Sequence, residues 1–382
     1  VNPRTTPRTR AASVRRTALL LTAGLSALSL TACGVVGAAG GDGGSASPDR
    51  SYDITVGLLL PDKDTARFEK FDHPLIESRV SSLTNKQGRV VYANAEGSED
   101  KQSEQFRRMI ADEVDVIVVD AVDSKAVAPD VEKAKEADIP VIAYDRLAEG
   151  PVDAYVSHDN ELVGQVQGRA LVNALGENAE NSKVVMMNGA PTDPNTTLFR
   201  EGALDELDGK VDIAKSYDTR KWLPEVAAEH MREALKEVGA GNIAAVYSAN
   251  DGMAGAVIEV LQDAGVTDLP PVTGQDADLA AVRRIVSGTQ YMTVYKSFLL
   301  EATGAADMAV AKVQERSIQF DALARDVVDS PTHKDIPAML VPVVALTREN
   351  IEATVVQDGV YTVEDICTKA YAADCAEIGL TS

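Results

Sequence analysis

Short apolar runs recur along the chain, and a polar or aromatic side chain follows most of them at once. Ile54–Leu60, Val114–Val119, Val141–Tyr144, Val184–Met187, Ile213–Tyr217, Ala244–Tyr247 and Met292–Tyr295 read as strands. Mostly apolar runs of this length suit parallel strands covered on both faces. Helical periodicity fills the intervals. Phe68–Leu83 has it, as does Ser98–Glu113, which puts Phe106, Met109 and Ile110 on one face behind a Ser98 cap. The rhythm continues through helices at Asn160–Leu175, Leu198–Leu207, Pro224–Val238, Gly252–Ala264 and Leu299–Val313. Gln314–Pro337 is polar without a period, and Met339–Val344 is again strand-like. Alternation of this kind predicts an α/β fold in two doubly wound parallel-sheet lobes. At 382 residues the chain can bury two cores.

In parallel α/β sheets ligands sit beyond the carboxyl ends of the strands. Here those places hold Arg67, Asp120, Asp145, Arg146, Asn188, Trp222, Asn250, Asp251 and Lys296. Guanidinium groups offer fixed forks of donors, ionised carboxylates accept, and Asn does both. Trp222, the only Trp, gives a flat face in a polar stretch. The set suits a neutral polyhydroxylated ligand. Catalytic and cofactor motifs are missing: no serine elbow, His/Cys pair, phosphate loop or zinc motif is found. No enzyme, cofactor or metal is therefore expected. The four His residues (His73, His158, His230, His333) are scattered.

Charge narrows the partners. The net charge is −22, which argues against nucleic acid. Residues 1–32 hold five Arg and no acid, so the remainder is more acidic still, at −27. That basic start, the apolar run Thr17–Ala32 and Leu30-Thr31-Ala32-Cys33 resemble a bacterial lipoprotein signal, with Cys33 as the lipidated residue. The expectation is a signal peptide at 1–32 and a Gly/Ser-rich tether at 33–51, with the protein exported and anchored at the outer face of the cytoplasmic membrane. Cys367 and Cys375 are then an even remainder, expected as a disulfide.

Several segments, in order, carry a family resemblance. They are Ala143-Tyr144-Asp145-Arg146, Ser157-His158-Asp159-Asn160, Asn188 through Asn195 with Leu198-Phe199-Arg200, Trp222-Leu223-Pro224-Glu225, Ser248 through Gly252, Gly274 through Leu279, and Thr293 through Lys296. Residues from about 52 to 360 resemble the periplasmic sugar-binding proteins of ABC transporters, in particular the D-xylose-binding and multiple-sugar-binding members. The resemblance implies a type I periplasmic binding protein fold with three crossover strands as a hinge, near Ser157–Asn160, Ser297–Leu299 and Val341–Val343. The implied lobes are 52–158 plus 298–341 and 159–297 plus 342–382. It implies sugar contacts from Arg67, Phe68, Arg146, Asn195, Arg200, Trp222, Asn250, Asp276 and Lys296, with Asp145 and Asp193 behind them. A monosaccharide ligand, D-xylose first, is expected, with an ABC permease and its ATPase as partners and a monomeric protein. The alternative is a sugar-sensing lipoprotein that serves a membrane receptor or kinase.

Overall fold

The computed structural model describes residues 52–65 and 67–381. The expected leader, tether and Cys33 lie outside the described residues. Strand β1 (Thr55–Leu60) leads through a π-helical turn at Phe68–Asp72 into α1 (His73–Leu83). The single helix expected over 68–83 thus changes type at Asp72, just before Pro74, which occupies the first turn of α1. β2 (Arg89–Asn94), α2 (Glu99–Ala111), β3 (Val116–Val119), α3 (Ala128–Glu136), β4 (Val141–Tyr144) and β5 (Ala154–His158) follow.

The next stretch runs α4 (Asn160–Leu175), β6 (Lys183–Asn188), α5 (Pro194–Leu207), β7 (Asp212–Asp218), α6 (Pro224–Val238), β8 (Ile243–Ser248), α7 (Asp251–Asp263), α8 (Leu279–Val286) and β9 (Thr293–Lys296). Then come α9 (Phe298–Val313), α10 (Ser317–Leu323), β10 (Asp326–Val328), β11 (Ile336–Val341), β12 (Val343–Leu346), α11 (Val363–Ile366) and α12 (Ala372–Glu377). The region without a period therefore holds two short elements, α10 and β10. The single strand expected at 339–344 is two strands parted at Pro342, whose missing N–H cannot continue a ladder.

One sheet has the order β10-β11-β5-β4-β3-β1-β2, parallel apart from the β10–β11 pair. Both of its faces are covered. Val56, Leu58 and Leu60 of β1 join Ile76, Val80 and the alanine face of α9, while Leu59 joins Phe106 and Met109 of α2. That alternation is the period-two geometry of a strand with a core on each side.

The second sheet begins as β7-β6-β8. Backbone hydrogen bonds carry it on through residues 271–276: Thr273 N–H donates to Val246 at 3.1 Å and Val294 N–H to Gly274 at 3.0 Å. β9 and β12 close it as an antiparallel pair. The chain passes between the sheets after β5, after β9 and at Pro342. The tail packs on the second sheet's side, where Tyr361, Ile366 and Cys375 join Val282, Ile285 and Tyr295. Cys367 and Cys375 are disulfide-bonded there, with Cα atoms 5.9 Å apart.

Candidate functional site

Helices α4 and α5 cross very closely. A Cβ at Gly164 would lie 2.0 Å from the Phe199 carbonyl, and one at Gly202 2.0 Å from that of Glu161. Only glycine permits the approach. It sets the first turns of α5 against Asn160, whose Nδ2 donates to Asn195 Oδ1 at 2.9 Å. Asp193 caps α5, accepting from Asn195 N–H at 2.9 Å. Its other carboxylate oxygen accepts from Trp222 Nε1 at 3.1 Å and lies 2.8 Å from Arg146 Nε.

A polar cavity lies where the ends of β1, β4 and β9 meet the first turn of α5. From one sheet come Arg67, Phe68, Asp145 and Arg146; from the other come Asp193, Asn195, Trp222, Asn250, Asp276 and Lys296. Three of these side chains hang from left-handed backbone: Asp145 (φ 54°), Trp222 (φ 59°) and Asp276 (φ 94°). Each costs roughly 1–3 kcal/mol in a non-glycine residue, and such strain collects at ligand sites. Trp222 fits only because Gly189 lies under it; a Cβ there would meet the indole at 2.0 Å.

The charges are buried and paired. Arg67 grips Asp72 with two donors, at 3.0 and 2.7 Å, reaches Asp145 at 3.1 Å and contacts Glu301. Lys296 Nζ lies 3.1 Å from Asp276 and 3.7 Å from Asp145. Burial pushes the Asp145 carboxyl up, but Lys296, Arg67 and Arg146 outweigh it and hold it below the usual carboxylate range. Burial raises Asp193, reinforced by Asp145 and opposed by Arg146. Burial also lifts Asp120, which lies 3.6 Å behind Arg146 with neither oxygen hydrogen-bonded. Burial lowers Lys296, but Asp276 and Asp145 leave it raised, so it is cationic at neutral pH. The guanidinium carbons of Arg67 and Arg146 lie 5.5 and 5.9 Å from the centre of the Phe68 ring.

A sequence profile described as a periplasmic binding protein domain matches residues 56–317. The chain belongs to the periplasmic binding protein family. It is 34% identical over 326 residues to the D-xylose-binding periplasmic protein of Haemophilus influenzae, covering 84% of this chain and 94% of that one. The Escherichia coli protein of the same name is 34% identical over 313 residues, covering 80% and 91%. Among solved structures, an ABC transporter solute-binding protein from Clostridium phytofermentans with bound β-D-glucose is similar at a TM-score of 0.74 and 25% identity, over 82% of this chain and 99% of that one. The fold is that of the type I periplasmic binding proteins.

Within this binding-protein fold, the residues expected at the site converge on the cavity, with one exception. Arg200 does not line it. On α5, Asn195 and Phe199 are four positions apart and share a face, whereas Arg200 is turned away and sits 3.9 Å from Asp218. Phe199 takes the place in the lining expected for Arg200, and Lys296 Nζ is 5.9 Å from its ring. Thr65 and Gln275 also line the cavity and were not expected. Gln275 had a signal, since it directly precedes Asp276. Asp145 and Asp193, expected behind the contacts, are in the lining itself. Asn250 serves two ends: its Oδ1 caps α7 at Met253 N–H (2.9 Å), leaving its amide nitrogen for the cavity. Asp145, His158 and Glu301 bring ligand-type atoms within 4.8 Å of one another. Arg67 pairs with both carboxylates, so a cation there would face a guanidinium. No helix of the described residues is long and apolar enough to cross a membrane.

Proposed function

We propose that this protein binds a monosaccharide, D-xylose first among candidates, as the extracytoplasmic solute-binding component of an ABC importer, anchored through lipid on Cys33. One observation carries the reading. The cavity lining holds three cations (Arg67, Arg146, Lys296) and three carboxylates (Asp145, Asp193, Asp276), with Asn side chains and the flat faces of Phe68, Phe199 and Trp222. Balanced charge with alternating donors and acceptors suits a neutral ligand whose every hydroxyl both gives and takes a hydrogen bond. Flat aromatic faces suit the C–H side of a pyranose. The xylose-binding names of the relatives and the glucose in the similar structure agree with this class.

The cavity measures about 30 Å³. That is room for two or three waters at roughly 10–15 Å³ each, far less than a sugar ring. A sugar therefore enters only when the two sides part. The three crossings after His158, after Lys296 and at Pro342 form the hinge in this reading. The moving bodies are 52–158 plus 298–341 and 159–297 plus 342–382. A ligand held from both sides favours closure, because it has more affinity for the closed form than for the open one. The permease recognises that closed form. In this reading the sugar leaves unchanged.

The test is a calorimetric titration and thermal-shift screen with D-xylose, D-glucose, D-galactose and L-arabinose. At a hundredfold excess over Kd the ligand should stabilise the protein by about 2.7 kcal/mol. Absence of heat and of stabilisation with every pentose and hexose would overturn the reading.

A further inference from the structure

Beside the inner cavity lies a second hollow of about 350 Å³, more than ten times larger by the same measure. Three residues line both: Arg146, Asp193 and Trp222. The wall between the two is therefore a guanidinium, a carboxylate and an indole. Arg146 reaches to either side of it. Its Nη1 is fixed to the Ala121 carbonyl at 3.0 Å, its Nε lies 2.8 Å from Asp193, and its Nη2 lies 3.8 Å from Asp62, which lines only the outer hollow.

The remaining outer lining uses the same kinds of group with an excess of acid, Asp62, Asp64, Glu96 and Glu99 against Arg220 and Lys221. Glu96 and Asp64 are acceptors, Arg220 is a donor, and Pro61, Pro191 and Leu223 give apolar faces. Lys221, on left-handed backbone at φ 57°, donates to the Gly97 carbonyl at 3.0 Å and joins the two sides at this hollow. A pocket of a few hundred Å³ with apolar walls and a few fixed polar groups is the usual form of a small-ligand site.

We propose that the outer hollow is a second sugar subsite, so that the cleft accepts a disaccharide with one ring in each compartment. This rests on the sugar-binding reading of the inner cavity. The glycosidic linkage passes the wall at Arg146, where hydroxyls of both rings find a donor. Trp222 borders both rings. Linking the rings makes engagement of the second intramolecular, so modest contacts in the outer hollow suffice to hold it. Five carboxylates against three cations in its lining favour a neutral ring over an anionic sugar phosphate or sugar acid.

The test uses the full chain and two matched pairs, D-xylose with β-1,4-xylobiose and D-glucose with cellobiose, in calorimetric titrations. Thr192 is exposed on the rim of the outer hollow and absent from the inner lining, so Thr192→Trp fills only the outer compartment. For the pair whose monosaccharide binds, the disaccharide should bind within tenfold of it or tighter. Thr192→Trp should weaken the disaccharide at least tenfold and leave the monosaccharide within twofold. Val122→Trp, which also lines only the outer hollow, should do the same, and serves if the first variant fails to fold. A wild-type protein that binds the monosaccharide but holds the disaccharide more than a hundredfold more weakly overturns the subsite and leaves the inner site standing. Equal loss of both ligands in the filled variants also overturns it. Binding of neither member of either pair, with D-galactose and L-arabinose also silent, overturns the sugar reading and the subsite together.

Discussion

Gly189→Ala is the sharpest perturbation of the inner cavity. A methyl group there would sit 2.0 Å from Trp222 Cη2, 2.2 Å from Cζ2 and 2.5 Å from Thr196 Oγ1. Ordinary van der Waals contact begins near 3.5 Å, so the indole must move by about 1.5 Å. Its Nε1 bond to Asp193, now 3.1 Å, is weakened by that shift. Two losses reach the ligand: a misplaced stacking face, about 0.5–1.5 kcal/mol, and a disturbed hydrogen bond to a charged group, about 1.5–3 kcal/mol if lost outright. Partial loss of each gives roughly 1.4–2.8 kcal/mol, a ten- to hundredfold weaker Kd. Overpacking should also lower stability by about 1–3 kcal/mol. Trp222 is the only Trp, so its emission reports the displacement without interference. The assay is the emission spectrum of the ligand-free variant, followed by a sugar titration by calorimetry. A variant with wild-type emission and wild-type affinity would refute the placement of the indole and its role as a cavity wall.

Arg146→Ala and Asp276→Ala should each weaken sugar binding ten- to a hundredfold, as the loss of a buried charged hydrogen bond of about 1.5–3 kcal/mol requires; a melting temperature that collapses while binding survives would make them structural instead. Asp145 should make stability depend on acid. Its neighbouring cations hold its folded value below the unfolded one, so its contribution is present above about pH 4 and fades as pH falls further. Melting curves of wild type should therefore drop more steeply from pH 4 to pH 2 than those of Asp145→Asn. At neutral pH the variant should be about 3–5 kcal/mol less stable, because Lys296 and Arg67 lose a buried partner. Asp193 and Asp120 titrate in both proteins, so parallel curves would count against the Asp145 pairing. Reducing the Cys367–Cys375 bond, which closes a short loop, should cost about 2.5 kcal/mol in denaturant unfolding; two alkylatable thiols in exported protein would contradict the bond.

Much of the architecture is legible in the sequence because doubly covered parallel strands are short, apolar and bounded by polar residues. β1, β3, β4, β6 and β8 all announce themselves in that way. β5 does not: Ala154-Tyr155-Val156-Ser157-His158 mixes polar and apolar residues, and its Ser157 and His158 are buried by tertiary contacts that no local pattern records. The break at Pro342 is visible only once two sheets compete for the neighbouring strands. At the site, strand-end position marks Asp145, Arg146 and Lys296 well. Arg200 rests on the resemblance alone, and the helical phase set by Asn195 turns it out of the lining. Phe199 is the side chain in phase. Thr65 carries no chemical signature strong enough to stand out from its neighbours, and Gln275 is marked only by its place beside Asp276.

The inner cavity meets its own charges before it meets any ligand. Arg146 comes from the end of β4 and Asp193 from the cap of α5, so their 2.8 Å contact joins the two sides directly. Lys296 and Asp145 do the same at 3.7 Å. Such buried pairs are little screened by salt, yet desolvation offsets much of their attraction, so their net contribution to closure is small. A sugar placed among them has to add contacts without separating the charges far. A neutral polyol can do so, since each hydroxyl donates to a carboxylate and accepts from a guanidinium or ammonium. An anion would upset the balance of three cations and three carboxylates in the lining and leave at least one carboxylate facing like charge. The strained backbone at Asp145, Trp222 and Asp276 fixes these groups in advance, so less ordering remains to oppose binding. Selectivity for neutral sugars over sugar acids then follows from the pairing of the wall itself, and the shape of the compartment is left to choose among the neutral ones.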